Sequence, residues 1–257
     1  GVYAASDMET GRDVVIKEAR PLTNRHAVED VFLEAGELLE REWAILEALA
    51  PLACVPDPLD LFDDWEHRFL VEERFEGTTM WSYWAASENI LAPYVRLEGR
   101  VEAWVPKFRD LASSLLDALE AVHEEGVLVG DLSPQNVLVD PDTRDVKLID
   151  FETAVFREGD EDFMPMARRW ATPGFAHPAR TERSRLTPGD DHYAAGMLLY
   201  AAVVPVQAHF DLNPEARPRF LQEFVRMGVP EEVQEIVDSL TEGRPDRAGE
   251  ILDRWSS

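Results

Sequence analysis

Gly130-Asp131-Leu132-Ser133-Pro134-Gln135-Asn136, followed by Leu148-Ile149-Asp150-Phe151-Glu152, is the stretch on which the reading of this chain turns. Asp131 and Asn136 stand five apart, and Asp150 follows fourteen residues later. That layout suits phosphoryl transfer. One carboxylate orients a hydroxyl, while an amide and a second carboxylate hold Mg²⁺ on the phosphates. Asp150 closes the run Val146-Lys147-Leu148-Ile149, which reads as a buried strand. A carboxylate at the end of such a strand needs a partner, and a metal ion supplies one. The oxygens of Asn136 and Asp150 are the donors that a hard cation prefers.

The 257 residues suffice for one large or two modest domains with a real core. The net charge is −26, from 51 acidic and 25 basic residues. Nucleic acid and anionic membranes demand a basic face, so neither is expected as the main partner. A basic peptide would be attracted, although an acidic solvated surface also serves solubility alone. Cys54 is the single cysteine, so no internal disulfide can form, which fits a reducing cytoplasm. The histidines are scattered without zinc-ligand spacing. No uninterrupted apolar stretch approaches the roughly 20 residues that span a bilayer.

Residues 12–17 read as a strand, rich in β-branched side chains. Residues 27–50 read as one long helix, with Val31, Leu38, Leu39, Trp43, Leu46 and Leu49 at helical spacing and Pro51 as its stop. Strands are expected near 58–63 and 68–74, around a turn at Asp63-Asp64-Trp65-Glu66. Residues 104–125 read as an amphipathic helix with Pro106 in its first turn and Gly126 at its end. Two short strands bracket Pro141-Asp142, and a polar loop covers 152–170. Helices are expected at about 190–204, 214–227, 230–240 and 246–255. A strand-rich first third joined to a helical remainder points to two lobes with a cleft between them.

Over nearly its whole length the chain resembles the protein-kinase superfamily. Val14-Val15-Ile16-Lys17 looks like the strand carrying the phosphate-binding lysine. Glu42-Trp43-Ala44-Ile45-Leu46 sits where the helix glutamate pairs with that lysine. Gly130-Asp131 through Asn136 looks like the catalytic loop, and Asp150-Phe151-Glu152 like the metal-binding segment. Thr172-Pro173-Gly174-Phe175-Ala176-His177-Pro178 looks like the end of the activation segment. Asp191 through Gly196 looks like the helix that anchors the catalytic loop. A narrower set is similar to the kinase domain of class III and class IV lanthionine synthetases: Lys17-Glu18-Ala19-Arg20-Pro21, Trp65-Glu66-His67, Leu70-Val71-Glu72-Glu73, Glu76-Gly77-Thr78-Thr79, Gly130 through Pro134, and Ile149 through Glu152.

The resemblance implies an α+β, two-lobed fold. Its small antiparallel-sheet lobe with one long helix would span residues 1–75, and its larger, mostly helical lobe residues 76–257. The first strand and the Gly-rich loop are expected upstream of Gly1. Lys17 would neutralise the α- and β-phosphates, held by Glu42. Asp131 would orient the attacking hydroxyl. Asn136 and Asp150 would bind Mg²⁺. Val2, Val15 and Leu138 match the residues that sandwich adenine, and Glu73 and Phe75 fall at the hinge. The side chain of Glu72 would then point inward beside the base.

Some accessories differ from the family pattern. Gly130 stands where many kinases carry an arginine that pairs with a phosphorylated activation loop, which implies activity without such phosphorylation. Val129 replaces a histidine and can pack against Phe151. Ser133 replaces a lysine, and Glu152 a glycine. Ala179 replaces a glutamate, which would leave Arg244 unpaired. Arg168, Arg169 and Trp170 are expected either in a peptide groove or, for the arginines, paired with the acidic run Glu158 to Asp162.

The function expected from the resemblance is a Ser/Thr kinase module. It would move the γ-phosphoryl group of ATP, or another NTP, with Mg²⁺, to a precursor peptide carrying a leader. Lyase and cyclase domains of the same polypeptide would be its partners, in a bacterial cytoplasm. Two alternatives stand beside it: a stand-alone Ser/Thr or small-molecule kinase, and a pseudokinase that binds a leader peptide through residues 27–50.

Overall fold

The computed structural model describes residues 1–23, 26–28, 31–84, 99–204 and 216–256. The chain opens with strands β1 (Val2–Ser6) and β2 (Asp13–Ala19), paired antiparallel. A short hairpin of β3 (His26–Val28) and β4 (Val31–Leu33) leads into helix α1 (Ala35–Leu49). The expected single helix over 27–50 is therefore hairpin in its first part and helix only from Ala35, and Val31 belongs to a strand. Glu34 sets the boundary through a capping box: its side chain accepts from the backbone of Glu37, whose carboxylate accepts the Glu34 N–H at 2.9 Å. Residues 29 and 30 of that expectation lie outside the described residues.

β5 (Pro58–Asp64) and β6 (His67–Glu73) turn at Trp65, whose φ is 55°. They complete a four-stranded sheet in the order β1-β2-β6-β5. Buried Leu38, Leu39, Ile45, Leu46 and Leu49 face inward from α1, at the helical spacing seen in the sequence. Burying each such side chain is worth about 1.5–3 kcal/mol.

The chain then enters β7 (Thr78–Thr79) and the single turn of α2 (Met80–Tyr83). Helix α3 (Arg100–Glu124) begins four residues before its expected start. Pro106 therefore lies in the second turn, where it removes an internal hydrogen bond. Aromatic packing offsets that loss: the Trp104 ring lies tilted between Trp84 (centroids 6.1 Å apart) and Phe108 (4.9 Å).

After Gly126 come β8 (Val127–Leu128), β9 (Val137–Val139), β10 (Val146–Leu148) and β11 (Val155–Phe156). The sheet β10-β9-β7 ties Thr78 and Thr79 to Val139 and Leu138. The expected polar loop over 152–170 is corrected: it contains β11, paired with β8, and helix α4 (Met164–Arg169). Phe163, Met164, Met166 and Ala167 are buried there with Leu38 of α1 and Leu186 in a second core. That core is assembled from distant segments, so local polarity did not reveal it.

Helices α5 (Pro188–Val203), α6 (Ala216–Arg226), α7 (Glu231–Thr241) and α8 (Pro245–Ser256) complete the fold. Positions 214 and 215 of the helix expected over 214–227 lie outside the described residues. No described helix is long and apolar enough to cross a membrane. Val129 and Phe151 are buried in one core, as their packing role requires.

Gly196 sets how closely α5 and α7 approach. A Cβ there would meet Thr241 Cγ2 at 2.7 Å and Leu240 Cβ at 3.0 Å. Alanine is the better helix former by about 1 kcal/mol, yet overpacking of this kind costs about 1–3 kcal/mol. Gly196→Ala is predicted to lower the urea midpoint. An unchanged or higher midpoint would refute the tight contact.

Candidate active site

The sheet register builds one face of the site. In antiparallel strands, residues directly opposite each other project to the same side. Val2 lies opposite Lys17, Val15 opposite Glu72, and Lys17 opposite Leu70. Val2, Val15, Lys17, Leu70 and Glu72 thus share a face. Against it lies a cavity of about 660 Å³, a size typical of ligand pockets. Its lining brings together nearly all the sequence-predicted positions: Val2, Val15, Lys17, Glu42, Glu73, Phe75, Asn136, Leu138 and Asp150, with Glu72 beside them. Asp131 is not part of the lining and is reached through Asn136.

Lys17 is the electrostatic centre. Its Nζ lies 2.6 Å from Glu42 Oε1, 3.4 Å from Glu72 Oε1 and 3.9 Å from Asp150 Oδ1. Burial alone would lower the lysine's pKa, but the three carboxylates outweigh it and hold Lys17 above its ordinary value. Burial pushes Glu42 up, against the pull of Lys17, and lifts Glu72 to about 7. Glu42 Oε1 also accepts the Phe151 N–H at 2.9 Å. One glutamate on α1 therefore couples the lysine strand to the segment carrying Asp150.

Asp150 has a left-handed backbone, with φ 64°. Such a conformation costs about 1–3 kcal/mol in a residue other than glycine, and it concentrates at functional sites. The neighbouring Ile149 N–H donates to the Asn136 carbonyl at 3.0 Å, which draws the two segments together. Asn136 Nδ2 donates to the Asp131 carbonyl at 3.0 Å. With its amide nitrogen so used, the side-chain oxygen of Asn136 is the donor left to offer. Among the described residues no cluster of three or more His, Cys, Asp or Glu forms an all-protein metal cage. Mg²⁺ does not need one. It binds through one or two carboxylates plus phosphates and water, and the excess of carboxyl groups around Lys17 suits such a cation.

The loop that carries Asp131 hangs from one buried carboxylate. Asp191, on α5, accepts the Val129 N–H at 2.9 Å and the Gly130 N–H at 3.0 Å, and its Oδ2 lies 2.9 Å from His123 Nε2. Gly130 has φ 82°, and a Cβ there would stand 2.7 Å from the Thr153 carbonyl. No arginine fits that backbone. Asp131 receives Thr172 on both oxygens: the backbone N–H at 2.7 Å and the hydroxyl at 3.0 Å. The sequence placed Thr172 only at the end of the activation segment. Its bond to Asp131 spans 41 residues and has no local signal.

Two arginines fasten the segment between Asp150 and Pro178. Arg41, next to Glu42 on α1, is bidentate to Asp160 at 2.8 and 2.9 Å and lies 3.8 Å from the centre of the Phe163 ring. Asp160 also accepts the Phe156 N–H at 2.8 Å. Arg180 is 3% exposed and donates to the carbonyls of Gly130, Ala167, Arg168 and Trp170. Two expectations are corrected here. Arg168 donates to the carbonyls of Thr181 and Arg183 rather than to the acidic run. The acidic run pairs instead through Asp160 with Arg41, and through Glu161 with Arg185 at 3.4 Å. Arg244 is not left over, since it pairs with Glu242.

Burial raises the Asp191 pKa, but His123 and the two loop N–H groups outweigh it and hold the carboxyl below its ordinary value. A depressed carboxylate stabilises the fold above its unfolded pKa, and that contribution is lost as pH falls through the folded value. Asp191→Asn is predicted to cost about 3 kcal/mol at pH 7 and to flatten the acid limb below about pH 4. Denaturant titrations at pH 3–7 check this, and an unchanged acid limb would contradict it.

The comparisons with known proteins agree with this geometry. Residues 1–233 match the protein kinase domain. The chain is 33% identical over 206 residues to a probable SapB synthase of Streptomyces coelicolor, which covers 80% of this chain and 21% of that protein. It is 27% identical over 205 residues to the serine/threonine-protein kinase pkn2 of Myxococcus xanthus, covering 77% of this chain and 22% of that one. It is also 25% identical over 268 residues to a probable serine/threonine-protein kinase of Clostridium acetobutylicum, covering 96% and 38%. The chain thus spans about a fifth of the length of the first two relatives. With its lysine, paired glutamate and loop aspartates arranged as described, this chain belongs to the protein kinase domain family.

Proposed function

We propose that the chain is the Ser/Thr kinase module of a lanthionine synthetase, phosphorylating a precursor peptide ahead of phosphate elimination and thioether formation by lyase and cyclase domains of the same polypeptide. The observation that carries the kinase half is the assembly of Lys17, Glu42, Asp150 and Asn136 around one cavity. The synthetase half is supported by the motifs shared with that family and by a synthase among the relatives. The match to pkn2 supports the other reading, a regulatory Ser/Thr kinase.

The nucleotide would lie between residues 1–75 and 76–257, its base against Val2, Val15, Leu138 and the backbone of Glu73 to Phe75. Lys17, fixed by Glu42, would hold the α- and β-phosphates. Asn136 and Asp150 would hold Mg²⁺, which when bound neutralises charge developing on the phosphates. Asp131 would take a hydrogen bond from the peptide hydroxyl, as it does from Thr172. The hydroxyl oxygen bonds to the γ-phosphorus, the bond to the β,γ-bridging oxygen breaks, and the hydroxyl proton passes to Asp131. The nucleoside diphosphate then leaves.

Mass spectrometry of the peptide, after incubation with the full-length protein, ATP and Mg²⁺, tests this. Gain of phosphate or loss of water on Ser or Thr is expected, and Asp131→Asn should lower the rate about 10²- to 10⁴-fold. No peptide modification, with a generic Ser/Thr substrate phosphorylated instead, would favour the regulatory kinase. ATP binding without any transfer would favour a leader-binding pseudokinase.

Asp160 supplies to Arg41 the negative charge that an added phosphate supplies elsewhere. Phosphatase treatment is therefore predicted to change the rate less than about twofold, whereas Asp160→Asn should lower it by more than that, because the part-buried pair that ties α1 to the segment after Asp150 is lost. A rate that collapses on phosphatase treatment would refute this account.

A further inference from the structure

The cavity contains one carboxylate oxygen that the protein leaves unsatisfied. Glu72 is 4% exposed. Its Oε1 lies 3.4 Å from Lys17 Nζ. Its Oε2 is buried without a hydrogen-bond partner among the described residues. No other described side chain lining the cavity has such an atom. A buried acceptor left unpaired is costly, and native structures keep few of them. At this position a ligand is the available donor.

The register says which part of a ligand would supply it. Lys17 marks the phosphate end of the β2–β6 face, opposite Leu70. One step along the same face, Glu72 stands opposite Val15, at the level of the apolar residues that would sandwich a flat base. The next residues, Glu73 to Phe75, line the cavity and offer backbone groups to the edge of that base. A group on the base that meets this backbone at Glu73 also neighbours the carboxylate of Glu72. On a purine that group is the 6-substituent.

We propose that Glu72 reads the purine 6-position, Oε2 accepting a hydrogen bond from the 6-amino group, so that adenine nucleotides are selected over 6-oxo purine nucleotides. This rests on the kinase reading above. A 6-amino group has two N–H bonds, one for the backbone and one for Glu72. A 6-oxo group has none, and sets a second acceptor against Oε2 in a dry site. Sites built around a buried polar group reject analogues that leave the group unpaired, often by large factors. With Glu72 ionised, which its raised pKa of about 7 makes complete only at higher pH, a charge-assisted hydrogen bond of this kind corresponds to about 10- to 100-fold in affinity.

The test measures Kd for ATP and for ITP, with Mg²⁺, at about pH 8.5 so that Glu72 is ionised, by titration calorimetry on the full-length protein, on Glu72→Gln and on Glu72→Met. ITP replaces the 6-amino group by a 6-oxo group. The wild type is expected to bind ATP about 10- to 100-fold more tightly than ITP. Both variants should reduce that ratio at least fivefold. Glu72→Gln is nearly isosteric and carries the result if Glu72→Met fails to fold, as its thermal melt would reveal. Equal binding of ATP and ITP by the wild type, or a ratio reduced less than fivefold in the variants, overturns the assignment. So does an equal loss of both nucleotides, which would mean that Glu72 serves to position Lys17. If the wild type binds neither nucleotide, the kinase reading itself falls, and this inference with it.

Discussion

One buried ammonium joins the parts of this molecule that must act together. Lys17 comes from the sheet, Glu42 from α1, and Phe151, bonded to the same glutamate oxygen, from the segment that carries Asp150. Displacing any one of the three would leave a charge or a polar group buried and unpaired. That outcome costs more than the pair itself contributes. The pair therefore works less as a source of stability than as a condition on geometry, because the lysine is held only when α1 and the Asp150 segment are both in place. A charge imbalance comes with the arrangement. Three carboxyl groups face one cation, which leaves the cavity suited to Mg²⁺ and phosphates rather than to an apolar ligand.

The rest of the site is fastened by charges fixed within the chain. Asp191 suspends the loop that carries Asp131 from α5 by two backbone N–H groups. Arg180 closes four carbonyls on the other side of that loop. Arg41 and Asp160 bind α1 to the segment after Asp150. The backbone at Gly130 excludes a side chain. Arg180 instead brings its guanidinium to the Gly130 carbonyl from 50 residues away. A cation serves the loop without occupying position 130.

Much of the fold was legible because its signals are local. The apolar spacing of Leu38 to Leu49 gave α1 its buried face. Turn residues located the β5–β6 hairpin, and the run Val146 to Ile149 located β10. The errors fall where local signals compete or are absent. Val31 fits a helical stripe as well as a strand, and pairing with Val28 together with the Glu34 cap decided between them. The segment 152–170 reads as polar, yet Phe163, Met164 and Met166 are buried against Leu38 and Leu186. Pro106 suits a first turn by its residue type, yet the helix begins at Arg100 and holds it one turn further in.

By itself the sequence determined the chemistry on offer: Lys17, Glu42, Asp131, Asn136 and Asp150, in an order and spacing that suit phosphoryl transfer. It could do so because a catalytic loop is a local motif whose roles follow from residue type and separation. The tertiary structure alone decided which charges meet. Arg41 finds Asp160 across 119 residues, Thr172 finds Asp131 across 41, and Arg180 caps four carbonyls that no pattern marks. It also decided that Glu72 keeps one oxygen unpaired inside the cavity. The reason is physical. A side chain's partner is fixed by distance in space and by the loss of water around it, and packing sets both.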